Sequence, residues 1–211
     1  MLPLDDRSVE RFLASLAGRP ELVIGNSQLI FGGTRRLSEG SVLSVKNRTH
    51  SVSAEVVTSG GADGVIVAQG GAFGGLVLFA RDGMLRYCYN LLGLRRFTVG
   101  ATEPIPDGTH QVRMEFVADG PGLGIGGDVT LFVDGSPVGS GRVDGTVPLL
   151  FSGDETLDVG SDLGTAVSDE YPRRGNEFTG RVAWVQIDVD DTDDDHFVDP
   201  EERLRVIMAR Q

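Results

Sequence analysis

The stretch "VIVAQGGAFGGLVLFARDG", residues 65–83, places four glycines between two apolar runs. Loops of this kind hold phosphate when a helix starts behind them, because the helix N-terminus supplies the anion site. Here both flanks are short apolar runs, and the second ends in an Asp-Gly pair. The reading is therefore strand, glycine turn, strand, Asp-Gly turn. Gly70, Gly71, Gly74 and Gly75 serve a tight connection or close backbone packing.

The same two-residue period extends outward from residue 28 to 189. Val52, Ala54 and Val56 share one face in "HSVSAEVVT". Val112, Met114 and Phe116 do so in "HQVRMEFVAD", with Arg113 and Glu115 facing away. Val129, Leu131 and Val133 follow in "DVTLFVDG", and Ala183, Val185, Ile187 and Val189 in "RVAWVQIDV". Asp-Gly pairs in "FARDGMLRY" and "LFVDGSPVG" mark tight hairpins between alternating runs. Strands this closely spaced predict antiparallel sheets stacked as a sandwich, with Arg86, Arg95 and Arg96 guarding edges.

Helices are expected only at the two ends. Residues 5–17 carry Val9, Phe12, Leu13 and Leu16 at helical spacing before Gly18 and Pro20. In "DPEERLRVIMARQ", Asp199 is a cap, Pro200 fits the first helical position, and Leu204, Ile207 and Met208 form a narrow apolar face. That face needs a surface to dock on, either this sandwich or another domain. The expected organisation is a lead-in over 1–27, a β-sandwich over 28–190, and an acidic connector with a final helix over 191–211.

The chain has 211 residues and a formal net charge of −12. Nine acidic residues and three arginines lie from Asp188 onward, which places half of that charge in the tail. No basic stripe remains, so nucleic acid and anionic membrane are not expected partners. The opening "MLPLDDRSVERF" lacks the basic start and apolar stretch of a signal peptide, and no apolar run is long enough to span a bilayer. A cytoplasmic location is the expectation for the chain as written. The single Cys88 sits in the alternating "LRYCYN", the position of an inert buried thiol.

Most site motifs fail on context. "GPGLGIGGD" contains a literal G-x-G-x-x-G at Gly122, Gly124 and Gly127, but a strand follows it where a dinucleotide site needs a helix. No phosphate-loop or nucleophile-elbow sequence occurs. His50, His110 and His196 are scattered, with no metal-binding spacing. "SGDETLDVGSD" gathers Asp154, Glu155, Asp158 and Asp162 around two turns, which suits solvated turn acids better than a calcium loop. No cofactor or metal is expected. Tyr87, Tyr89 and Phe97, with Arg95 and Arg96, are candidates for a sugar-binding platform, though a sandwich more often uses such residues as core and rim.

Long blocks of the chain resemble a known family. "SVLSVKNRTHSVSAEV" (41–56), residues 63–83, "RYCYNLLGLRRFTV" (86–99), "FSGDETLDVGSDLGTAVSDEY" (151–171), "FTGRVAWVQIDV" (178–189) and the tail are similar to the C-terminal region of large bacterial arylsulfatases. The resemblance implies a concanavalin A-like jelly roll. It also implies a missing catalytic domain, since those enzymes carry a Cys/Ser-x-Pro-x-Arg motif whose first residue becomes formylglycine. Cys88 is followed by Tyr89 and Asn90, which does not match, so no catalytic residue is carried over. The expectation is a non-catalytic accessory domain that docks on a sulfatase catalytic domain or chain, or self-associates. The alternative is a carbohydrate-binding module.

Overall fold

The computed structural model describes residues 23–190. It contains twelve strands: β1 (Ser27–Phe31), β2 (Leu37–Ser38), β3 (His50–Thr58), β4 (Gly64–Gly71), β5 (Gly74–Arg81), β6 (Met84–Leu91), β7 (Arg95–Pro104), β8 (Gly108–Ala118), β9 (Gly127–Val133), β10 (Ser136–Val143), β11 (Thr156–Val159) and β12 (Arg181–Val189). A single 3-10 turn at Glu39–Ser41 is the one helical element among the described residues. Both terminal helices read from the sequence, including Leu204, Ile207 and Met208, lie outside the described residues, as does His196.

The strands form two six-stranded antiparallel sheets, ordered β1-β12-β3-β8-β9-β10 and β2-β11-β4-β5-β6-β7. The first is called sheet A below, the second sheet B. The meander β4–β7 lies wholly in sheet B and the meander β8–β10 wholly in sheet A, while β1, β2, β3, β11 and β12 alternate between them. This is an all-β jelly-roll sandwich. One apolar cluster fills the space between the sheets, with Val52, Ala54, Val56, Val112, Met114, Leu131, Val185 and Ile187 from sheet A facing Leu76, Leu78, Leu85, Tyr87 and Leu157 from sheet B.

The opening stretch is β4, a two-residue hairpin at Ala72–Phe73, and β5, then the Asp82–Gly83 turn into β6. Gly70 pairs with Gly75 across the ladder and has φ +87°, which disfavours side chains. A Cβ on Gly70 would collide with the Gly74 carbonyl oxygen, and one on Gly75 with that of Gln69. The buried Asn90 of β6 then ties two hairpin tips together. Its Nδ2 donates to Gly71 O (2.8 Å) and Ala72 O (3.1 Å), and its Oδ1 accepts from Gly93 N (2.9 Å).

β4 and β5 are apolar at nearly every position because sheet B is covered on both faces. Residues 161–179 run across its outer side, closing a second cluster of Val65, Ala68, Val77, Phe79, Cys88, Val167 and Tyr171. Glu170 anchors this strap: Arg86 Nη1 reaches its carboxylate at 2.6 Å and Arg81 Nη1 its carbonyl at 2.6 Å. Thr165 Oγ1 accepts from Ala72 N, and Arg96 Nε donates to Val167 O.

Candidate functional site

The expected platform does not assemble. Tyr87 and Tyr89 are 0% and 2% exposed, because they sit two apart on β6 in phase with the inner face of sheet B. Tyr89 accepts a hydrogen bond from Val147 N at its hydroxyl and meets Phe151 edge to face. Its pKa is pushed above the usual phenol value by burial. Arg95 and Arg96 are neighbours on β7 and point to opposite faces. Arg95 pairs with Asp144 (3.1 Å) over the Phe97 ring, whereas Arg96 is spent on the strap.

Three of the four acids of "SGDETLDVGSD" are occupied as well. Asp158 accepts from Arg36 N at 2.7 Å. Glu155 accepts from Thr165 N and Oγ1. Asp162 accepts from Tyr171 OH (2.5 Å) and Val167 N (3.0 Å), and burial raises its pKa. Among the described residues no three His, Cys, Asp or Glu side chains converge as a metal site. Asp162 closes the strap on itself, Glu155 ties it to the chain before β11, and Asp158 holds the approach to β2. The thiol of Cys88 lies beneath it, its pKa raised by burial.

The histidines have structural surroundings too. His50 donates from Nδ1 to Arg48 O, and desolvation drives its pKa down to about 4. His110 bonds Asp134 at 2.7 Å, which raises its pKa and ties the start of β8 to the β9–β10 turn.

What remains open is the outer face of sheet A, on which no described segment packs. The register fixes its rows. Phe31, Trp184, Glu55 and Gln111 form one row across β1, β12, β3 and β8. Leu29, Gln186, Ser53, Arg113 and Phe132 form the next, reaching β9. Ser27, Asp188, Ser51, Glu115 and Thr130 form the third. Phe31 is 69% and Leu29 52% exposed, and Trp184 is half-buried. Ser51 and Ser53 leave a low lane down the middle strand, with Gln186 and Asp188 on one side and Arg113 and Glu115 on the other. Gln186 Nε2 donates to Asp188 at 3.0 Å, and the Arg113 guanidinium lies 4.3 Å from the Phe132 ring centre. A polar trough thus runs between two aromatic shoulders, Trp184 with Phe31 and, three strands and about 14 Å across, Phe132.

A β-bulge at Val182–Trp184 sets the position of the indole. The sequence pattern put Ala183 on the inner face; in the structure Val182 is the buried residue and Ala183 the extra one in the bulge. The bulge adds twist at this point and separates Trp184 from Arg181. Of the trough residues, the alternation places Arg113 and Glu115 on the outer face, and nothing in the sequence reading marks any of them as a site. The signal was present, however: Trp184 is in phase with Gln186 and Asp188, and Phe132 with Thr130 and Asp128. A large aromatic in the polar phase of a strand is on the outside.

No protein-family model matches the chain, and no curated protein does. Solved structures similar to it include Ruminococcus gnavus IT-sialidase CBM40, at 16% identity and TM-score 0.48 over 88% of this chain and 98% of that one. Mouse laminin alpha1 chain domains LG4-5 match at 19% identity and TM-score 0.47, over 81% of this chain and 40% of that one. The heptameric SAP-like pentraxin of Limulus polyphemus matches at 13% identity and TM-score 0.45, over 78% of this chain and 77% of that one.

Proposed function

We propose that this chain is a non-catalytic carbohydrate-binding module whose ligand lies on the outer face of sheet A. The observation that carries the reading is the chain's single tryptophan, held across from Phe31 on a sheet face that no described segment covers, beside a trough of hydroxyl, amide, carboxylate and guanidinium groups. Sugar rings offer C–H faces that stack on aromatic rings, and hydroxyls that exchange hydrogen bonds with such side chains. The described histidines and Asp162, groups that acid–base chemistry would draw on, are committed to packing. Trp184 emission reports on the site by itself. Titration with oligosaccharides from a glycan array is expected to shift that emission, and Trp184→Ala is expected to abolish binding while the fold persists. Array-wide silence at high protein concentration would refute the proposal.

A second reading follows from the resemblance to arylsulfatase C-terminal regions: an accessory domain packed on a catalytic domain. One feature of the structure favours it. β1 is an edge strand of sheet A and exposes the large apolar side chains of Leu29 and Phe31. Co-purification with a separately expressed sulfatase catalytic domain tests it, with Phe31→Asp expected to break the complex. A stable mixture of two independent monomers would refute this docking.

A further inference from the structure

We infer that the trough on sheet A takes glycans carrying protonated amines and turns away sulfated ones. The inference rests on the carbohydrate reading above and adds the charge of the ligand. Between the aromatic shoulders the face carries Glu55, Asp188 and Glu115 against one guanidinium, that of Arg113. Arg113 is already stacked on Phe132. Asp188 and Glu115 stand on either side of Ser51 in one row, so a group seated over that serine meets a carboxylate on each side.

The remaining cations near the face do not reverse this balance. Arg142, in the register row beyond Thr130, is held by Asp119, Asp128 and Asp144. Arg181 lies at the far end of β12, past the bulge and beyond Trp184. A sulfate ester over Ser51 would sit between two carboxylates, with Arg113, one row away and stacked on Phe132, the one guanidinium of the trough among the described residues. An ammonium there would find two charge-assisted acceptors, with the Ser51 hydroxyl as a third. Glu55, next to Trp184 in the first row, offers another acceptor to a sugar stacked on the indole. The lane follows β3 between shoulders on β12 and β9 and spans three register rows, so the ligand lies along the strand and is a short oligosaccharide.

Three probes separate the outcomes: a trimer of N-acetylglucosamine, the same trimer deacetylated, and a sulfated tetrasaccharide, each titrated at mildly acidic pH and low salt. Trp184 emission and calorimetry are the readouts. Surface charge pairs are individually weak, so the deacetylated trimer is expected to bind on the order of tenfold more tightly than its neutral form, and the sulfated probe not at all. Added salt is expected to shrink that preference toward unity. Glu115→Gln with Asp188→Asn should remove the preference while neutral binding persists. Glu55→Gln is the second variant if that pair fails to fold, and it should reduce the preference in part. Sulfated binding equal to or tighter than neutral binding would overturn the inference and leave the carbohydrate reading intact. Silence from all three probes would overturn both.

Discussion

Two buried carboxamides on sheet B make opposite demands on stability. Asn90 is 0% exposed and all three of its bonds go to the hairpin tips. Gln69 is 2% exposed, faces the sandwich interior between Leu76 and Leu157 in the ladder, and has no partner for either Oε1 or Nε2 among the described residues. Replacing Asn90 with Leu leaves two carbonyls and one N–H to find water at part-buried tips. At about 1 kcal/mol for each lost bond, the expected cost is about 3 kcal/mol. Gln69→Leu is nearly isosteric and removes an unsatisfied amide from an apolar layer, so a gain of about 1–3 kcal/mol is expected. In thermal unfolding, that gain is a rise of about 2–4 °C per kcal/mol for a chain of this size. Circular dichroism melts and urea titrations of the two variants decide the matter. A Gln69→Leu protein less stable than its parent would refute the reasoning, and would place a bonded buried water beside the amide.

The two described histidines should titrate in opposite directions, and imidazole resonances can be followed for each. His50, with its pKa lowered to about 4, stays neutral in the fold through a range where the unfolded chain binds a proton. Its contribution is therefore present above the ordinary imidazole value and is lost as pH falls toward 4. His110 has a raised pKa from Asp134, so its contribution is full below the ordinary imidazole value and is lost as pH rises through the folded value. His110→Gln should remove that alkaline loss, and an unchanged pH profile in this variant would contradict the pairing. Phe73 is 71% exposed at its hairpin tip, so Phe73→Ala should leave stability within about 0.5 kcal/mol in the same melts. Trp184→Ala, which removes one cross-strand pair with Phe31, should cost about 1 kcal/mol or less and still give a cooperative transition.

The architecture was legible where one face of a strand is buried and the other is not. The inner residues of β3, β8 and β9 fall where alternation put them, and both Asp-Gly turns are hairpins with Asp82 at φ 52° and Asp134 at φ 48°. The wide G-x-G-x-x-G segment is a loop leading into β9, as its context required. The single inserted residue of the β12 bulge was not legible, because a bulge changes the phase without changing the apolar composition. The platform was misplaced for a related reason. In "LRYCYN" the tyrosines and Cys88 alternate, and both phases are buried, one by sheet A and the other by the strap. Aromatic content alone therefore said nothing about which side faced outward. Only the strap, whose covering of sheet B depends on contacts between Glu170 and the distant Arg81 and Arg86, decides that the face left open among the described residues belongs to sheet A.

Titration of the protein with oligosaccharides, read by Trp184 emission, carries the functional reading. Saturable binding that shifts the emission in the parent protein, and disappears in a folded Trp184→Ala variant when followed by calorimetry, is the predicted result. Binding that leaves the indole unperturbed, or that survives its removal, would contradict a ligand site on the outer face of sheet A.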